Sequence, residues 1–313
     1  MEMKNFNIRA DLFGAKPGNA LIKGWDEPSE YTPRLDPNYA FPDFGKDIVN
    51  WLAFMPNEPL YVFGPTGAGK TSCIRWLAAK LNYPLFECTG HSRLEFPELV
   101  GHNTVIKGSM EFVDGPLTMA MRLGGIFILN EFDLLDPSTA AGLNTILDGS
   151  PLVIPENGGE LVKPHPMFRF VATANSNGAG DATGGYQGVL KQNIALMDRF
   201  IVVEASYLDP AVENSLIKAA VPSLPDALVN SVLQYANTVR EMFTGDFSNT
   251  GGIDTPIDVT FSTRTVLRFS KLLALYSRSK GDAVAKALEL SLLNRCEPVQ
   301  KSALLELKQR IFG

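Results

Sequence analysis

The sequence predicts an α/β fold in which a parallel sheet is flanked by helices and is followed by an all-helical C-terminal domain. Between about residues 46 and 206, short apolar runs alternate with amphipathic stretches, as in a parallel sheet covered by helices. From about residue 209 onward the apolar spacing becomes helical. We therefore expect an extended arm over residues 1–45, an α/β core over 46–206 and a helical lid domain over 207–313.

The arm is predicted because its prolines, aspartates and tyrosines follow no clear period. In the core, short apolar runs indicate buried strands at residues 60–63, 85–88, 126–129 and 168–172. Hairpins are expected within residues 100–116 and within 152–162, where the turn contains Asn157, Gly158 and Gly159.

The clearest helix of the predicted lid has Ser262 available as its N-cap residue. Its apolar positions have helical spacing and are Val266, Phe269, Leu272, Leu273 and Tyr276. Residues 245–260 before it read as a turn-rich loop.

Composition excludes several classes of protein. The net charge of −6 gives no basic footprint, which argues against a protein whose main role is nucleic-acid binding. No apolar run approaches the roughly 20 residues needed to span a bilayer, and the N-terminus lacks an apolar secretory segment, so we expect a cytoplasmic protein. The three cysteines and three histidines are scattered, so neither disulfides nor a zinc site is expected.

The most informative motif lies between the first predicted strand of the core and a helix expected over residues 72–81. It fits the phosphate-binding pattern G-x-x-x-x-G-K-[ST], in which backbone N–H groups and a helix N-terminus surround the phosphates. Lys70 is expected to contact the outer phosphates, and the Thr71 hydroxyl to ligate Mg²⁺. The predicted phosphate-binding residues are Gly64, Pro65, Thr66, Gly67, Ala68, Gly69, Lys70, Thr71 and Ser72.

A second motif follows the strand predicted at residues 126–129. Asn130, Glu131 and Asp133 come directly after the apolar run, at the strand end where ligands of such sheets bind. Glu131 is placed to polarise water. Asn130 takes a position that is normally Asp, and its amide oxygen carries no charge to hold the metal, so magnesium binding or turnover is expected to suffer.

Three further polar residues complete the predicted catalytic set. Asn175 follows the strand at residues 168–172 and is expected to orient the attacking water or to sense the terminal phosphate. Arg199 and Arg264 are candidates for the guanidinium that stabilises developing phosphoryl charge. The alternatives are an ordinary turn residue for Asn175 and surface salt bridges for the arginines.

These motifs together resemble the AAA+ ATPases of the MoxR-related group, and within it the CobS family of cobaltochelatase ATPase subunits. The resemblance covers practically the whole chain. Besides the phosphate loop and the segment around Glu131, it is carried by residues 31–39, 164–169, 172–175, 178–184, 197–200, 262–266 and 293–296.

The resemblance assigns a role to each candidate residue. It implies that residues 64–71 are the Walker A loop, that Glu131 is the Walker B glutamate and that Asn130 stands at the usual aspartate. Asn175 matches the first sensor, Arg264 the second sensor on the lid, and Arg199 the finger that reaches a neighbouring subunit.

A finger acting on a neighbouring subunit implies a homo-oligomeric ring, a hexamer in this group. The hairpins are then expected to face the pore or a partner. The partners implied are a CobT-like subunit with a von Willebrand-like domain and a large chelatase subunit that holds corrin and cobalt.

The same sequence is compatible with other functions. The same fold serves a MoxR-like chaperone of another metalloenzyme, or a phage or accessory relative outside the vitamin pathway. Asn130 also fits a nucleotide-binding scaffold with weak hydrolysis. A nucleic-acid motor is a further, weaker alternative.

Overall fold

The computed structural model describes residues 1–180, 188–247, 250, 252–253, 255–278 and 280–313. The described residues separate into a first unit, Met1–Gly64 with Gly69–Ala205, and a second unit, Pro65–Ala68 with Ser206–Gly313. Residues 181–184, which contribute to the family resemblance, lie outside the described part. No helix in that part is both long and apolar enough to cross a membrane.

Every strand of the described residues lies in the first unit, which also contains helices. The strands are β1 (Met3–Asn7), β2 (Leu21–Trp25), β3 (Leu60–Phe63), β4 (Leu85–Thr89), β5 (Gly101–Ile106), β6 (Ser109–Asp114), β7 (Ile126–Asn130), β8 (Leu152–Ile154), β9 (Glu160–Val162), β10 (Arg169–Ala174) and β11 (Ile201–Glu204). The α-helices are α1 (Gly45–Phe54), α2 (Lys70–Lys80), α3 (Phe96–Val100), α4 (Pro116–Leu123), α5 (Pro137–Ala141), α6 (Asn144–Leu147) and α7 (Ile194–Met197).

The central sheet is parallel and, over the described residues, has the strand order β11-β3-β10-β7-β4. Strand β10 is buried along its whole length, and the first four residues of β7 are buried as well. Strands are buried to this extent because helices cover both faces of a parallel sheet. The predicted α/β core and all four of its predicted strands are confirmed.

The parallel register decides where functional side chains emerge. Ala174 at the end of β10 pairs with Phe63 at the end of β3. Asn130 at the end of β7 pairs with Thr89 of β4. The carboxyl ends of these strands therefore meet at one edge of the sheet, where the segments around Glu131 and Asn175 begin.

The N-terminal residues differ in part from an extended arm. Strands β1 and β2 form a two-stranded antiparallel sheet. Farther along, Tyr39 and Phe41 pack against Trp76 of α2, with ring centroids 5.9 and 4.9 Å away. This aromatic cluster supports α2, the helix that begins at the phosphate loop.

Both predicted hairpins are present in the first unit. Strands β5 and β6 pair antiparallel around Lys107 and Gly108, both of which have positive φ. Val105 and Met110 on this hairpin are 68% and 71% exposed. Strands β8 and β9 form the second hairpin.

The second unit is helical, as the sequence predicts. Its α-helices are α8 (Pro210–Ala220), α9 (Asp226–Thr244), α10 (Thr263–Tyr276), α11 (Ala283–Ser291) and α12 (Pro298–Phe312). Ser262 caps α10 by accepting a hydrogen bond from the Thr265 backbone N–H, which confirms the predicted N-cap. Val266, Phe269 and Leu273 bury the apolar face of this helix.

A buried ion pair joins α8 to α9. Arg240 donates to both carboxylate oxygens of Glu213, at 2.8 and 2.9 Å, and the Thr263 hydroxyl donates to the same carboxylate. The Glu213 and Arg240 side chains are 1% and 9% exposed.

Glu213→Ala is expected to destabilise the second unit by about 3 kcal/mol, because it leaves the Arg240 charge buried without its partner. Asp226→Ala is the matched control, since it removes the exposed ion pair to Lys218 and should cost less than about 1 kcal/mol. Urea unfolding of the two variants measures both values. An equal loss of unfolding free energy in the two variants would contradict the prediction that the buried ion pair is costlier to break than the exposed one.

Candidate nucleotide-binding site

The predicted phosphate loop requires glycine at two positions of the first unit. Gly69, immediately before α2, has φ 92°, and Gly64 has φ 146°. A Cβ on Gly64 would also lie 2.2 Å from the Ala205 carbonyl oxygen. Backbone conformations of this kind are open to glycine and let N–H groups turn inward around an anion.

The remaining loop residues belong to the second unit. Pro65, Thr66, Gly67 and Ala68 group with the helical residues, and Gly67 has φ 75°. Within that unit the Tyr207 hydroxyl donates to the Thr66 carbonyl oxygen at 3.0 Å. Ser72 is exposed in the first turn of α2.

Lys70 is the first residue of α2 and is only 9% exposed. Its Nζ donates to the Gly64 carbonyl oxygen at 2.7 Å and to Asn175 Oδ1 at 3.1 Å. Burial lowers the pKa of Lys70 to about 8, although Glu131 and Asp133 act to raise it. The ammonium group is thus held in a place that favours an anion beside it.

The lowered pKa of Lys70 predicts a pH-dependent stability. Its unfolded value is near 10.5, so between about pH 8 and 10.5 the unfolded chain binds more protons and stability rises with pH. In nucleotide-free protein, the unfolding free energy of the native chain relative to Lys70→Met should therefore increase by about 2 kcal/mol between about pH 7 and 9.5. Urea unfolding at the two pH values measures this, and a constant difference would contradict it.

Asn130 and Thr71 are brought together at the end of β7. Asn130 Oδ1 accepts hydrogen bonds from the hydroxyls of Thr71 at 2.6 Å and Thr173 at 3.0 Å. Hydroxyl and amide oxygens are hard donors of the kind Mg²⁺ prefers, so the residues present fit this ion. Thr173 was not among the sequence-predicted residues, although its position on β10, two residues before Asn175, was a usable signal.

Glu131 has a backbone conformation unusual for its type. Its φ is 53° and its ψ 44°, in the left-handed region that is costly for a residue with a side chain. The neighbouring Gly90 allows it, since a Cβ there would lie 2.7 Å from the Glu131 carbonyl oxygen. Backbone outliers of this kind are concentrated at functional sites.

The Glu131 carboxylate accepts a hydrogen bond from Asn175 Nδ2 at 2.7 Å. Burial raises the pKa of Glu131, and the Asp133 carboxylate raises it further, while Lys70 and Asn175 act in the opposite direction. A carboxylate made more basic in this way is suited to accept a proton from water.

Asp133 follows Glu131 in the same motif, and in the structure it positions the turn after β10. Its side chain is fully buried, and Oδ2 accepts hydrogen bonds from the backbone N–H groups of Asn175 and Ser176, both at 2.9 Å. Asp133 therefore fixes the turn after β10 that places the Asn175 side chain between Lys70 and Glu131.

Arg199 is placed apart from this network. Arg199 donates to both oxygens of Asp148, from Nε at 2.8 Å and from Nη2 at 3.1 Å. Arg264 is exposed in the first turn of α10, in the second unit, and forms no ion pair with any described residue. Lys70, Thr71, Asn130, Glu131 and Asn175 are thus brought together, and Arg199 is not.

Comparison with known proteins decides the family. Residues 59–200 match the AAA domain of the dynein-related subfamily. A Staphylococcus haemolyticus protein of uncharacterized function is 31% identical over 194 residues, which cover 60% of this chain and 71% of that protein. The chain belongs to the AAA ATPase family.

This AAA ATPase is similar over most of its length to an aerobic cobaltochelatase subunit, CobS, from a Sinorhizobium species. The two are 29% identical over 301 residues, which cover 93% of this chain and 86% of CobS. Among solved structures, a point mutant of Thermotoga maritima RuvB matches with a TM-score of 0.50 at 15% identity, over 84% of this chain and 73% of that one. That likeness shows the fold alone.

Proposed function

We propose that this AAA ATPase binds ATP with Mg²⁺ at residues 64–72 and hydrolyses it as a homo-oligomeric ring, a hexamer, in the cytoplasm. The observation that carries the proposal is the hydrogen-bonded series Lys70–Asn175–Glu131, which places a phosphate-binding cation and a basic carboxylate on either side of one amide. That is the arrangement needed to hold a terminal phosphate and a water beside it.

Each residue has a distinct task in this scheme. Lys70 binds the outer phosphates, and Asn175 orients the water. Glu131 accepts a proton from this water as its oxygen attacks the γ-phosphorus, and the bond from that phosphorus to ADP breaks, which yields ADP and phosphate. Thr71 and Asn130 would hold Mg²⁺, which when bound neutralises part of the phosphate charge. Arg264 is proposed as the lid residue that responds to the bound nucleotide.

The ring part of the proposal depends on Arg199. We propose that it leaves Asp148 and stabilises the transferring phosphoryl group in a neighbouring subunit. Its paired hydrogen bonds to a carboxylate from a half-buried position support this, because a guanidinium that binds a carboxylate in this way binds phosphate oxygens with the same geometry.

Arg199→Ala is expected to lower ATP turnover by about 100-fold, the usual scale for loss of one charge-stabilising donor. Asp148→Asn is the control: it weakens the ion pair without removing the guanidinium and should keep turnover near the native value. Steady-state phosphate release measures both.

A mixing experiment tests whether Arg199 acts between subunits. Rings assembled from equal amounts of Arg199→Ala and Glu131→Gln chains contain interfaces with an intact Glu131 on one side and an intact Arg199 on the other. We expect part of the activity to return on mixing. A mixture as inactive as its components, although electron microscopy shows mixed rings, would contradict the trans role.

The similarity to CobS supports a specific client. We propose that the ring remodels a CobT-like subunit with a von Willebrand-like domain, together with a large chelatase subunit, to drive metal insertion into a corrin. The exposed β5–β6 hairpin is a candidate contact. Affinity capture from the native host with and without ATP tests this, and recovery of a different metalloenzyme would favour the MoxR-like chaperone alternative.

A second candidate function is a nucleotide-binding scaffold with weak hydrolysis, which Asn130 favours because it replaces a charged residue by an amide. Asn130→Asp separates the two candidates by its effect on turnover. An increase of more than about tenfold would identify the native chain as a weakened ATPase.

A further inference from the structure

Strand β4 places a carboxylate beside the irregular Asn130. Glu87 of β4 pairs with Ile128 and Thr89 with Asn130 in the parallel register. Because side chains of a strand alternate between faces, Glu87 and Asn130 project from the same face of the sheet. Asn130 Nδ2 donates to Glu87 Oε2 at 3.4 Å.

Helix α2 covers this face and contacts both residues. Thr71 and Arg75 are four positions apart on α2 and so lie on one side of it. Thr71 donates to Asn130, while Arg75 donates to both oxygens of Glu87, each at 2.5 Å. The fork from Arg75 fixes the Glu87 carboxylate against the Asn130 amide.

The Asn130 amide therefore bridges a hydroxyl and a carboxylate. Its Nδ2–H faces the negative charge of Glu87, and its Oδ1 accepts from Thr71. Hydrogen bonds in series polarise one another, so the carboxylate makes the amide oxygen a stronger acceptor and more negative. The Glu87 side chain is 22% exposed, whereas that of Arg75 is 53% exposed, so solvent screens the guanidinium more than the carboxylate.

We propose that Glu87 is a positioning residue that supplies, through Asn130, the negative charge missing at the metal side of the site. Asn130 provides the oxygen and Glu87 the charge that one aspartate would otherwise provide together. This inference rests on the proposed binding of ATP with Mg²⁺.

The test measures metal binding directly rather than turnover. Mn²⁺ is titrated into the full-length chain saturated with ADP, and bound metal is followed by electron paramagnetic resonance. Glu87→Gln is expected to weaken Mn²⁺ binding by about tenfold, the lower end of the usual loss when a group behind a metal ligand is removed. ADP affinity in EDTA should stay unchanged.

Two further variants distinguish charge from structure. Glu160→Gln removes a different carboxylate that accepts two hydrogen bonds from an arginine, Arg122. This variant should leave Mn²⁺ affinity unchanged. The double variant Glu87→Gln with Asn130→Asp moves the carboxylate onto residue 130 and should restore Mn²⁺ affinity to within about threefold of native.

Native Mn²⁺ affinity in Glu87→Gln would overturn the inference. A loss of Mn²⁺ affinity that the added Asn130→Asp change fails to repair would also overturn it, because the broken ion pair with Arg75 would then explain the loss. Absence of ADP binding to the native chain in EDTA is a different result. It would refute the proposed nucleotide site itself.

Discussion

Glu131→Gln is expected to lower ATP turnover by about 1,000-fold, within the range that a positioned general base contributes. The amide cannot accept the proton of the attacking water, while its oxygen can still accept the hydrogen bond from Asn175. ATP affinity should therefore stay within a factor of about three, because the phosphate-binding residues are untouched. Steady-state phosphate release and fluorescent-nucleotide titration measure the two quantities.

Glu58→Gln is the control for this change, since Glu58 is exposed in the loop before β3. Its turnover should match that of the native chain. Turnover by Glu131→Gln at more than about a tenth of the native rate would remove Glu131 from the chemistry. A native chain with no measurable turnover would instead favour the scaffold function.

Lys70→Ala is expected to weaken ATP binding by about 1,000-fold. The ammonium group is buried and already positioned, so its removal deletes charge-assisted hydrogen bonds worth about 1.5–3 kcal/mol each to the phosphates. The empty space beside Asn175 cannot replace them. Equilibrium titration with a fluorescent ATP analogue measures the loss.

Lys80→Ala, at the opposite end of α2, is the matched control because it removes the same group from the same helix. Its ATP affinity should be native. If Lys70→Ala also kept native affinity, residues 64–72 would not be the ATP site, and the proposed function would fail at its first step.

Much of the fold and of the site was predictable from local sequence. The phosphate-loop glycines, the strand before Glu131 and the N-cap at Ser262 each follow from short-range patterns. The fold class follows from the same patterns, since alternating apolar runs and amphipathic helices leave few arrangements besides a covered parallel sheet.

Other parts of the site depend on residues far apart in the chain. The contact of Glu87 with Asn130 requires β4 to lie next to β7, and the position of Asn175 requires β10 to lie between β3 and β7. Nothing in the local spacing of Glu87 distinguishes it from an ordinary charged residue. Likewise, the paired hydrogen bonds from Arg199 to Asp148 join residues that follow two different short helices, α7 and α6.

The sequence by itself thus determined which segment is proposed to bind the nucleotide, because a phosphate loop is one continuous stretch whose backbone N–H groups surround the phosphates. The tertiary structure alone decided how that chemistry is tuned: Asn175 between Lys70 and Glu131, and Glu87 behind Asn130. The physical reason is that strand order and register, not residue spacing, set which buried side chains share a low-dielectric site and so change each other's charge and hydrogen bonding.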